Sequence, residues 1–444
     1  MKAVFMKEGV IQFGEGGFLR AFADCFIDIM NEKELYDGLV TVVQPIPLGR
    51  LADLLRQDCR YNLILRGIED GKTVNDRREI RCISGGVNPY EDFDAYLRLA
   101  ENPDYRFVIS NTTEAGIEYR GTEAFSDRPA ASFPAKLVQL LYRRYELGLP
   151  GFIILSCELI DHNGDALREC CLKYARDWAL GEDFDRWMLS ENRFVNTLVD
   201  RITPGYPKEE AEVLQREIGW EDRLIDTAEP FGLWVIEGDF EAELPLQAAG
   251  LPIIWTADVT PYKKRKVRIL NGAHTSLVAA ALLMGIETVG EAMEDETALA
   301  FLKKCLFEEI LPVIGETEDN RAFAASVLER FRNPFIRHRF RSIALNSVSK
   351  WNARVLPTVL EYREQSGTIP KGLSLSLASL IAFYRQDEPE DSEESVKLLK
   401  EASLPEILSA PVWETDLSFL LPEVEEQLES IRSLGMRETL RRLL

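Results

Sequence analysis

The chain has 444 residues, long enough to favour two domains, and carries 52 Lys and Arg against 74 Asp and Glu, a formal net charge of −22. This acidic balance repels phosphate backbones and anionic lipid, so it disfavours a nucleic-acid-binding or membrane-surface protein. With 46% hydrophobic and 28% charged residues, the composition is that of a globular protein and excludes wholesale disorder.

The first half of the chain alternates β-rich runs with helical patterns, which is typical of a mostly parallel sheet with crossover helices. Between the first two strands, four apolar residues share one helical face and predict a helix over Phe18–Asn31. The predicted strands are Val10–Phe13, Leu39–Gln44, Phe107–Ser110, Gly151–Cys157, Gly232–Gly238 and Leu251–Ala257.

After Pro261 long helical patterns dominate, so we place a domain boundary near residue 258. The expected architecture is an α/β, Rossmann-like domain over 1–257 followed by a mainly α-helical domain over 258–444. Within the second domain, Leu373–Leu377 alternates like a strand, but its extension to Tyr384 keeps helical spacing and predicts a helix. The acidic run Gln386–Ser395 predicts a solvated loop.

A glycine-rich turn follows the first predicted strand and opens the Phe18–Asn31 helix. Glycines at such a junction let the backbone turn tightly and approach a pyrophosphate. Leu19 replaces the third glycine of GxGxxG, so a plain tight turn remains an alternative, but the position favours dinucleotide binding. The candidate cofactor-binding residues are Phe13, Gly14, Glu15, Gly16, Gly17, Phe18, Gln44, Asn111, Thr112 and Thr113.

The second predicted strand ends in Gln44, where NAD-binding proteins usually carry an acid for the ribose hydroxyls. The Gln44 amide can still hydrogen-bond a ribose, and Arg50 follows a few residues later. Charge at this strand end therefore leaves the choice between NAD and NADP open.

The stretch from Pro261 to His274 contains a second candidate site. On a helix that advances by about 100° per residue, Lys266, Asn271 and His274 point within roughly 140° of one another. These three residue types suit carbonyl reduction, because an ammonium donates a proton, an amide holds the oxyanion and an imidazole orients substrate hydroxyls.

Lysine needs a lowered pKa to donate a proton near neutral pH. Four neighbouring cations, Lys263, Lys264, Arg265 and Arg268, act in that direction if they stay close. The alternative without a site is that Lys263–Arg268 forms a solvated basic helix face and that His274 is a core or capping histidine. Only three histidines occur in the chain, and one of them shares the predicted face with Lys266 and Asn271, which favours a site.

Seven scattered cysteines without a CxxC pair indicate reduced thiols in a cytoplasmic enzyme. The N-terminal segment lacks the apolar core and cleavage site of a secretory signal. The longest apolar stretch, from Leu277 to Ile286, is too short to cross a bilayer and predicts a buried helix. We therefore expect a cytoplasmic protein without a membrane partner.

Several longer motifs resemble the long-chain mannitol dehydrogenase family, and the resemblance runs from near the N-terminus to the end. They are Gln12–Phe22 (QFGEGGFLRAF), Ser110–Ile117 (SNTTEAGI), Cys157–Ile160, Asn163–Arg168 (NGDALR), Asp200–Pro207 (DRITPGYP), the Lys266 cluster, Asn333–Ile336 and Ser342–Ser347.

The resemblance implies an NADH-linked, zinc-independent reduction of D-tagaturonate to D-altronate in hexuronate (galacturonate) breakdown. It implies a Rossmann domain followed by a helical substrate and catalytic domain like that of 6-phosphogluconate dehydrogenase. Because K-x4-N-x2-H is reproduced, the family's catalytic lysine, oxyanion asparagine and substrate-positioning histidine fall on Lys266, Asn271 and His274. A further family lysine near the site falls on Lys350. A monomer is plausible for this family, and the oligomeric state is not readable from the sequence.

Three positions depart from the mannitol dehydrogenase pattern. Leu159 stands where the family has a second asparagine that stabilises the oxyanion, so this second donor is either absent or supplied by Asn163. Ser342 replaces an arginine, for which Arg341 or His338 could compensate. Lys263 replaces a carboxylate three residues before the lysine. The first two changes suit a branch whose substrate carries a carboxylate.

A uronate needs a cationic partner, and the Arg332–Lys350 segment offers Arg337, His338, Arg339, Arg341 and Lys350. We expect most of these to be surface charges and take Lys350 and Arg341 as the candidates. Glu114 and Thr113 follow a strand end, where open α/β sheets place ligands, although a loop cap would look the same. The substrate-binding candidates are thus Glu114, Asn163, Arg341 and Lys350.

Three alternatives remain open. The first is a sister activity, fructuronate reductase or mannitol 2-dehydrogenase. Enzymes with these activities resemble one another in a glycine turn followed by Phe-His-Arg-Ala-His, whereas this chain has Phe18-Leu19-Arg20-Ala21-Phe22. A non-catalytic NADH or sugar-acid sensor would not need Lys266, Asn271 and His274 together. Nucleic-acid binding through Lys263–Arg268 lacks an aromatic stacking series beyond Tyr262.

Overall fold

The computed structural model describes residues 6–113 and 115–444. The chain divides into two compact units, Met1–Val259 and Thr260–Leu444. Within the described residues, no helix has both the length and the apolar character needed to cross a membrane. The seven cysteines all lie in the described part of the chain, where they are buried and form no disulfide.

The described part of the first unit contains three sheets. A six-stranded sheet has the order β5-β2-β1-β6-β7-β8, and two three-stranded sheets have the orders β10-β3-β4 and β12-β11-β9. The strands are β1 (Lys7–Phe13), β2 (Gly38–Val43), β3 (Tyr61–Glu69), β4 (Lys72–Ile80), β5 (Ile83–Val87), β6 (Phe107–Ser110), β7 (Ile153–Ser156), β8 (Arg193–Val195), β9 (Thr197–Asp200), β10 (Asp226–Ala228), β11 (Leu233–Glu237) and β12 (Ile253–Thr256).

All five strand pairs of the six-stranded sheet are parallel. Chain order runs outward from β1 through β2 to β5 on one side and through β6 and β7 to β8 on the other, which is the Rossmann order. The predicted Rossmann-like parallel sheet is therefore confirmed. The order reverses between β1 and β6, and a ligand crevice is expected outside the carboxyl ends of these two strands.

Both faces of this sheet are buried. On β1, Val10 packs into one hydrophobic cluster and Ile11 into another, and Phe107 and Val108 of β6 alternate in the same way. Successive side chains of a strand point to opposite faces, so these clusters lie on the two sides of the sheet. Burial on both faces explains why the parallel strands read as nearly continuous apolar runs.

Helices of the first unit cover and connect these strands. They are α1 (Gly17–Ala21), α2 (Ala23–Glu32), α3 (Leu51–Arg56), α4 (Phe93–Arg98), α5 (Phe133–Glu146), α6 (Asn163–Asp177), α7 (Glu182–Glu191) and α8 (Ala211–Ile218).

The predicted continuous Phe18–Asn31 helix is wrong in one respect, because it breaks at Phe22 into α1 and α2. Phe22 has φ −123° and ψ −83°, outside the helical region. The break frees the carbonyl of Ala21, which accepts a hydrogen bond from Arg201 Nη1 at 2.7 Å. A distant guanidinium thus replaces the helical partner, and the local sequence does not reveal it.

The β3–β4 hairpin was not expected. Its turn is Asp70-Gly71, where both residues have positive φ, 51° and 73°. This is the geometry of a two-residue type I′ hairpin turn, for which Asp-Gly is a favoured sequence. The turn signal was therefore present in the sequence.

The second unit is helical, as predicted. Its helices are α9 (Thr260–Lys266), α10 (Gly272–Leu283), α11 (Val289–Glu294), α12 (Glu296–Lys303), α13 (Leu311–Ile314), α14 (Glu318–Phe331), α15 (Phe340–Ile343), α16 (Ser347–Arg354), α17 (Leu356–Ser366), α18 (Lys371–Gln386), α19 (Glu393–Glu401), α20 (Leu404–Leu408), α21 (Leu421–Leu434) and α22 (Met436–Leu443).

Helix α18 is at the centre of the second unit, where it packs against α10 and α21. Every residue from Gly372 to Tyr384 is buried, so this helix has no solvent face. Glu309 caps its first turn, accepting from the N–H groups of Gly372 and Leu373 at 2.7 Å each. The helix predicted through Leu373 and Tyr384 is present.

Two π-helical segments interrupt the helices of this unit, Val267–Asn271 and Lys304–Ile310. The first joins α9 to α10 and lies inside the stretch from Pro261 to His274, which contains the predicted site residues Lys266, Asn271 and His274. Single π turns are rare in proteins and occur frequently at functional sites.

Candidate active site

The glycine turn lies at the carboxyl end of β1. Gly14 has φ +118°, and a Cβ there would lie 3.3 Å from the carbonyl oxygen of Asn111 at the end of β6. Only glycine adopts this backbone without strain, so the turn fixes how closely these two strand ends approach. Gly16 has no atom within 4 Å of its would-be Cβ, which leaves its backbone open to a ligand.

A cavity of 630 Å³ opens at this turn, at the switch point between β1 and β6. Ile46 and Leu48, 55% and 88% exposed, offer it the apolar surface that a flat base needs. Open backbone at Gly16 and apolar surface beside it fit a dinucleotide. Seven of the predicted cofactor residues line the cavity: Gly14, Glu15, Gly16, Gly17, Asn111, Thr112 and Thr113.

Three other predicted cofactor residues are not among those lining the cavity. Phe13 is fully buried, with its ring 4.9 Å from that of Phe133. Phe18 stacks on Phe22 at 5.0 Å. Gln44 is buried, and its Nε2 donates to the carbonyl of Ile46 at 3.0 Å. The first two serve the core, and Gln44 holds the loop that follows β2.

A buried ion pair supports the turn from behind. Arg20 Nε donates to the carbonyl of Glu15 at 3.1 Å, and Arg20 Nη2 lies 3.3 Å from Asp226 Oδ2. Burial raises the pKa of Asp226 to about 6, against the attraction of Arg20. Sequence reasoning missed this pair; the available signal was a charged residue among buried positions of a helix.

Glu158 holds the loop after β6 in the same way. Its fully buried carboxylate accepts from Ser110 Oγ at 3.1 Å and from the backbone N–H of Thr112 at 3.0 Å. Asn111 Nδ2 donates to the carbonyl of Cys157 at 2.6 Å. The segment after β7 thus fixes the two cofactor candidates that follow β6.

Asn163 does not offer the donor expected for a substrate oxyanion. Its Nδ2 donates to the carbonyls of Ser156, Glu158 and Thr197 at 2.8, 3.0 and 3.0 Å. Its Oδ1 accepts from the N–H of Gly164 at 2.9 Å. With every polar atom used and the side chain buried, Asn163 ties β7, α6 and β9 together.

In the second unit, Lys266 ends α9 and Asn271 ends the first π segment, so the π turn separates them. Each residue of a π turn advances by a smaller angle than the roughly 100° of an α-helix. Over five residues this brings Asn271 closer to the face of Lys266 than a continuous α-helix would. Both side chains are half-buried.

The cations around Lys266 are partly neutralised. Lys264 Nζ lies 2.8 Å from Glu361, and Arg268 Nη2 lies 2.9 Å from the same carboxylate. The Arg265 guanidinium lies over the ring of Phe323 at 4.7 Å. The unscreened positive field expected beside Lys266 is thus weaker than a count of neighbours suggests.

His274 lies in a buried, aromatic environment on α10. Its ring stacks on Phe331 with centroids 4.0 Å apart, and His338 meets it edge-on at 5.1 Å. Burial, helped by the charges of His338, Arg330 and Arg354, holds the pKa of His274 well below its usual value. The imidazole is therefore neutral, and its Nε2 has no hydrogen-bond partner among the described residues.

The two predicted carboxylate partners differ. Lys350 on α16 is half-buried and donates to the carbonyl of Ile343 at 2.9 Å, and α16 packs against both α10 and the first π turn. Arg341 is exposed and lies 2.5 Å from Asp387. Lys350 is therefore near the elements that carry Asn271 and His274, whereas Arg341 is committed to a surface ion pair. Glu114 lies outside the described residues.

Two arginines near His274 were missed. Arg330 on α14 is 5% exposed, and Arg354 ends α16. Arg330 follows Phe323 and Val327 by seven and three positions, so it lies on the apolar stripe of its helix. A charged residue on an apolar stripe was the signal available in the sequence.

Comparisons with known proteins cover both units. The family model for the mannitol dehydrogenase Rossmann domain matches residues 8–247, and the model for the mannitol dehydrogenase C-terminal domain matches 258–410. The altronate oxidoreductases of Klebsiella pneumoniae (strain 342) and Escherichia coli O7:K1 are each 44% identical, over 98% of this chain and 96% and 97% of theirs.

Among solved structures, a D-sorbitol dehydrogenase in substrate-free form has a TM-score of 0.88 and 25% identity, covering 98% of this chain and 95% of its own. A Pseudomonas fluorescens mannitol 2-dehydrogenase, in ternary complex with NAD and D-mannitol, has a TM-score of 0.74 and 23% identity over 99% and 94% of the two chains. The latter likeness concerns the fold alone. With both family models matched and relatives 44% identical over nearly the whole length, the chain belongs to the mannitol dehydrogenase family.

Proposed function

We propose that this chain catalyses the reversible, NADH-linked reduction of D-tagaturonate to D-altronate in hexuronate breakdown. Family membership makes it an NAD-dependent oxidoreductase that acts on CH–OH groups. The observation that carries the choice of substrate is the 44% identity, over 98% of the chain, to proteins named altronate oxidoreductase. In this proposal residues 1–257 bind the dinucleotide and residues 258–444 bind and process the sugar acid.

The side chains of the second unit supply the proton chemistry. When bound, the cofactor supplies a hydride to the ketone carbon, and negative charge develops on the ketone oxygen. Lys266 Nζ donates a proton to that oxygen, and Asn271 Nδ2 donates a hydrogen bond that stabilises its charge. In the oxidative direction Lys266 accepts the proton back.

The neutral His274 orients the substrate. An imidazole nitrogen without a proton accepts a hydrogen bond from a sugar hydroxyl, and Nε2 of His274 lacks a partner among the described residues. Stacking on Phe331 fixes the plane of the ring. The positioning role therefore needs no change in protonation near neutral pH.

A cation is required for the substrate carboxylate, and we assign it to Lys350. Burial is the main cause that lowers the pKa of this lysine, followed by the nearby charge of Arg354. The Coulomb attraction between this half-buried ammonium and a substrate carboxylate is less screened by water than at an exposed lysine. Arg330 and Arg354 lie near His274 and add positive potential to the same region.

Kinetics on three ketoses test the proposal. NADH is mixed with the protein and D-tagaturonate, D-fructuronate or D-fructose, and the loss of NADH absorbance is followed. The highest kcat/KM on D-tagaturonate is expected. Preference for D-fructuronate or D-fructose would identify a sister activity, and dinucleotide binding without turnover on any of the three would identify a sensor.

A further inference from the structure

The cavity at the glycine turn contains an unusual carboxylate. Of the described residues that line it, Glu15 is the one acid, and this residue is 8% exposed. Glu15 Oε1 accepts a hydrogen bond from the backbone N–H of Arg50 at 2.9 Å. Glu15 Oε2 is buried and has no hydrogen-bond partner among the described residues. A buried acceptor without a donor is costly unless a ligand supplies one.

This carboxylate reaches the loop that follows β2. A Cβ added to Gly49 would come within 2.0 Å of Glu15 Oε1 and 2.6 Å of Gln44 Oε1, so Gly49 leaves the space that the carboxylate occupies. In Rossmann domains the acid that binds the adenosine ribose sits at the end of the second strand. Here Gln44 stands at that strand end, and Glu15 of the glycine turn brings a carboxylate to the same loop.

The cations of the cavity already have acidic partners. Arg20 pairs with Asp226 at 3.3 Å and Arg50 with Asp53 at 3.1 Å. The third arginine that lines the cavity pairs likewise, Arg120 with Glu118 at 3.1 Å. Each arginine among the described residues that line the cavity therefore has an acid beside it, which offsets its attraction for a 2′-phosphate.

We infer that Glu15 is the residue that selects NAD over NADP in this chain, accepting a hydrogen bond from the 2′-hydroxyl of the adenosine ribose and repelling a 2′-phosphate. This inference rests on the proposed dinucleotide role of the cavity. It resolves the cofactor choice that the strand end at Gln44 leaves open.

Equilibrium binding tests the inference without any sugar substrate. NAD⁺ and NADP⁺ are titrated into wild type and Glu15→Gln, with calorimetry as the readout. Wild type should bind NAD⁺ on the order of 100-fold more tightly, and Glu15→Gln should narrow that ratio at least about tenfold, mainly through tighter NADP⁺ binding. Glu69→Gln, which removes an exposed acid at the end of β3, should leave the ratio unchanged.

Two further variants guard against a folding artefact. Glu15→Asp keeps the charge and should keep the rejection of NADP⁺. Gly49→Ala should narrow the ratio like Glu15→Gln, because its Cβ displaces the Glu15 carboxylate. Equal wild-type affinity for NAD⁺ and NADP⁺, or an unchanged ratio in folded Glu15→Gln and Gly49→Ala, overturns the inference.

The outcomes separate the inference from the proposed function. If the protein turns over D-tagaturonate but its ratio of NAD⁺ to NADP⁺ affinity does not depend on Glu15, the inference alone is contradicted. A Glu15-dependent preference for NAD⁺ without turnover of any ketouronate contradicts the proposed substrate alone.

Discussion

The candidate cofactor cavity of the first unit and the candidate substrate site of the second are built differently. The first is shaped by main chain: Gly14 takes a φ of +118° and Gly16 leaves its backbone open. The second consists of side chains on helices, and a π turn lies between Lys266 and Asn271. A main-chain site depends on where glycine stands, whereas a side-chain site depends on helix phase and on which neighbours are paired.

The largest expected effect concerns the side-chain site. Lys266→Ala should lower kcat about 10³-fold, because it removes the proposed proton donor, while the Kd for NADH stays within about twofold. Ketouronate reduction and a fluorescence titration with NADH measure the two quantities. Lys264→Ala, on the same helix but exposed and paired with Glu361, is the matched control and should keep its activity. Full activity in Lys266→Ala would remove this residue as the donor.

The main-chain site should respond to a single methyl group. Gly14→Ala forces a side chain into a strained conformation, 3.3 Å from the Asn111 carbonyl, and should weaken NADH binding on the order of 100-fold while lowering stability by about 1–3 kcal/mol. Gly16→Ala has free space around the new methyl group, so its stability should match that of wild type and only NADH affinity should fall. Unchanged NADH affinity in both variants would show that the turn serves the fold alone.

Asp24 on α2 is buried and is joined to the glycine turn through Gln12, whose Nε2 donates to Asp24 Oδ2 at 3.4 Å and to the Gly14 carbonyl at 3.1 Å. Burial raises the pKa of Asp24 to about 7, so the folded protein holds a proton there that the unfolded chain loses near pH 4. Between these pH values the folded protein binds one more proton than the unfolded chain. The free energy of unfolding therefore falls as pH rises from about 4 to 7. Asp24→Asn has no proton to lose at this position. Its free energy of unfolding relative to wild type, measured by urea unfolding, should therefore be about 2–4 kcal/mol higher at pH 8 than at pH 4. The same gain at both pH values would contradict this assignment.

The smallest expected effect comes from a comparison of Arg341 and Lys350, the two candidate partners of the substrate carboxylate. Arg341→Ala breaks an exposed pair with Asp387, so it should cost less than about 1 kcal/mol of stability and change KM less than about twofold. Lys350→Ala should raise KM for D-tagaturonate roughly tenfold with little change for D-fructose, which has no carboxylate. A larger KM effect at Arg341 than at Lys350 would reverse the assignment.

The sequence predicted the parallel sheet and the place of the glycine turn because both leave local signals, apolar runs and glycines. Phe107–Ser110 was placed at its observed bounds. The break at Phe22 was not predicted, and the group that satisfies the freed Ala21 carbonyl, Arg201, lies far away along the chain. Asn163 had a plausible polar side chain, and only its five buried hydrogen bonds exclude it as an oxyanion donor. Glu15 was named as a cofactor residue, but its contact with the loop after β2 required coordinates.

The Arg201 hydrogen bond to Ala21 also limits how the nucleotide-binding region can be dissected. Arg20 likewise depends on Asp226, so two residues encoded late in the first unit complete a turn encoded near the start of the chain. A truncated fragment ending after β6 would contain all the glycines yet lack both of these partners. Transplanting the N-terminal strand, turn and helix into another scaffold therefore requires carrying the segments around Arg201 and Asp226 with them.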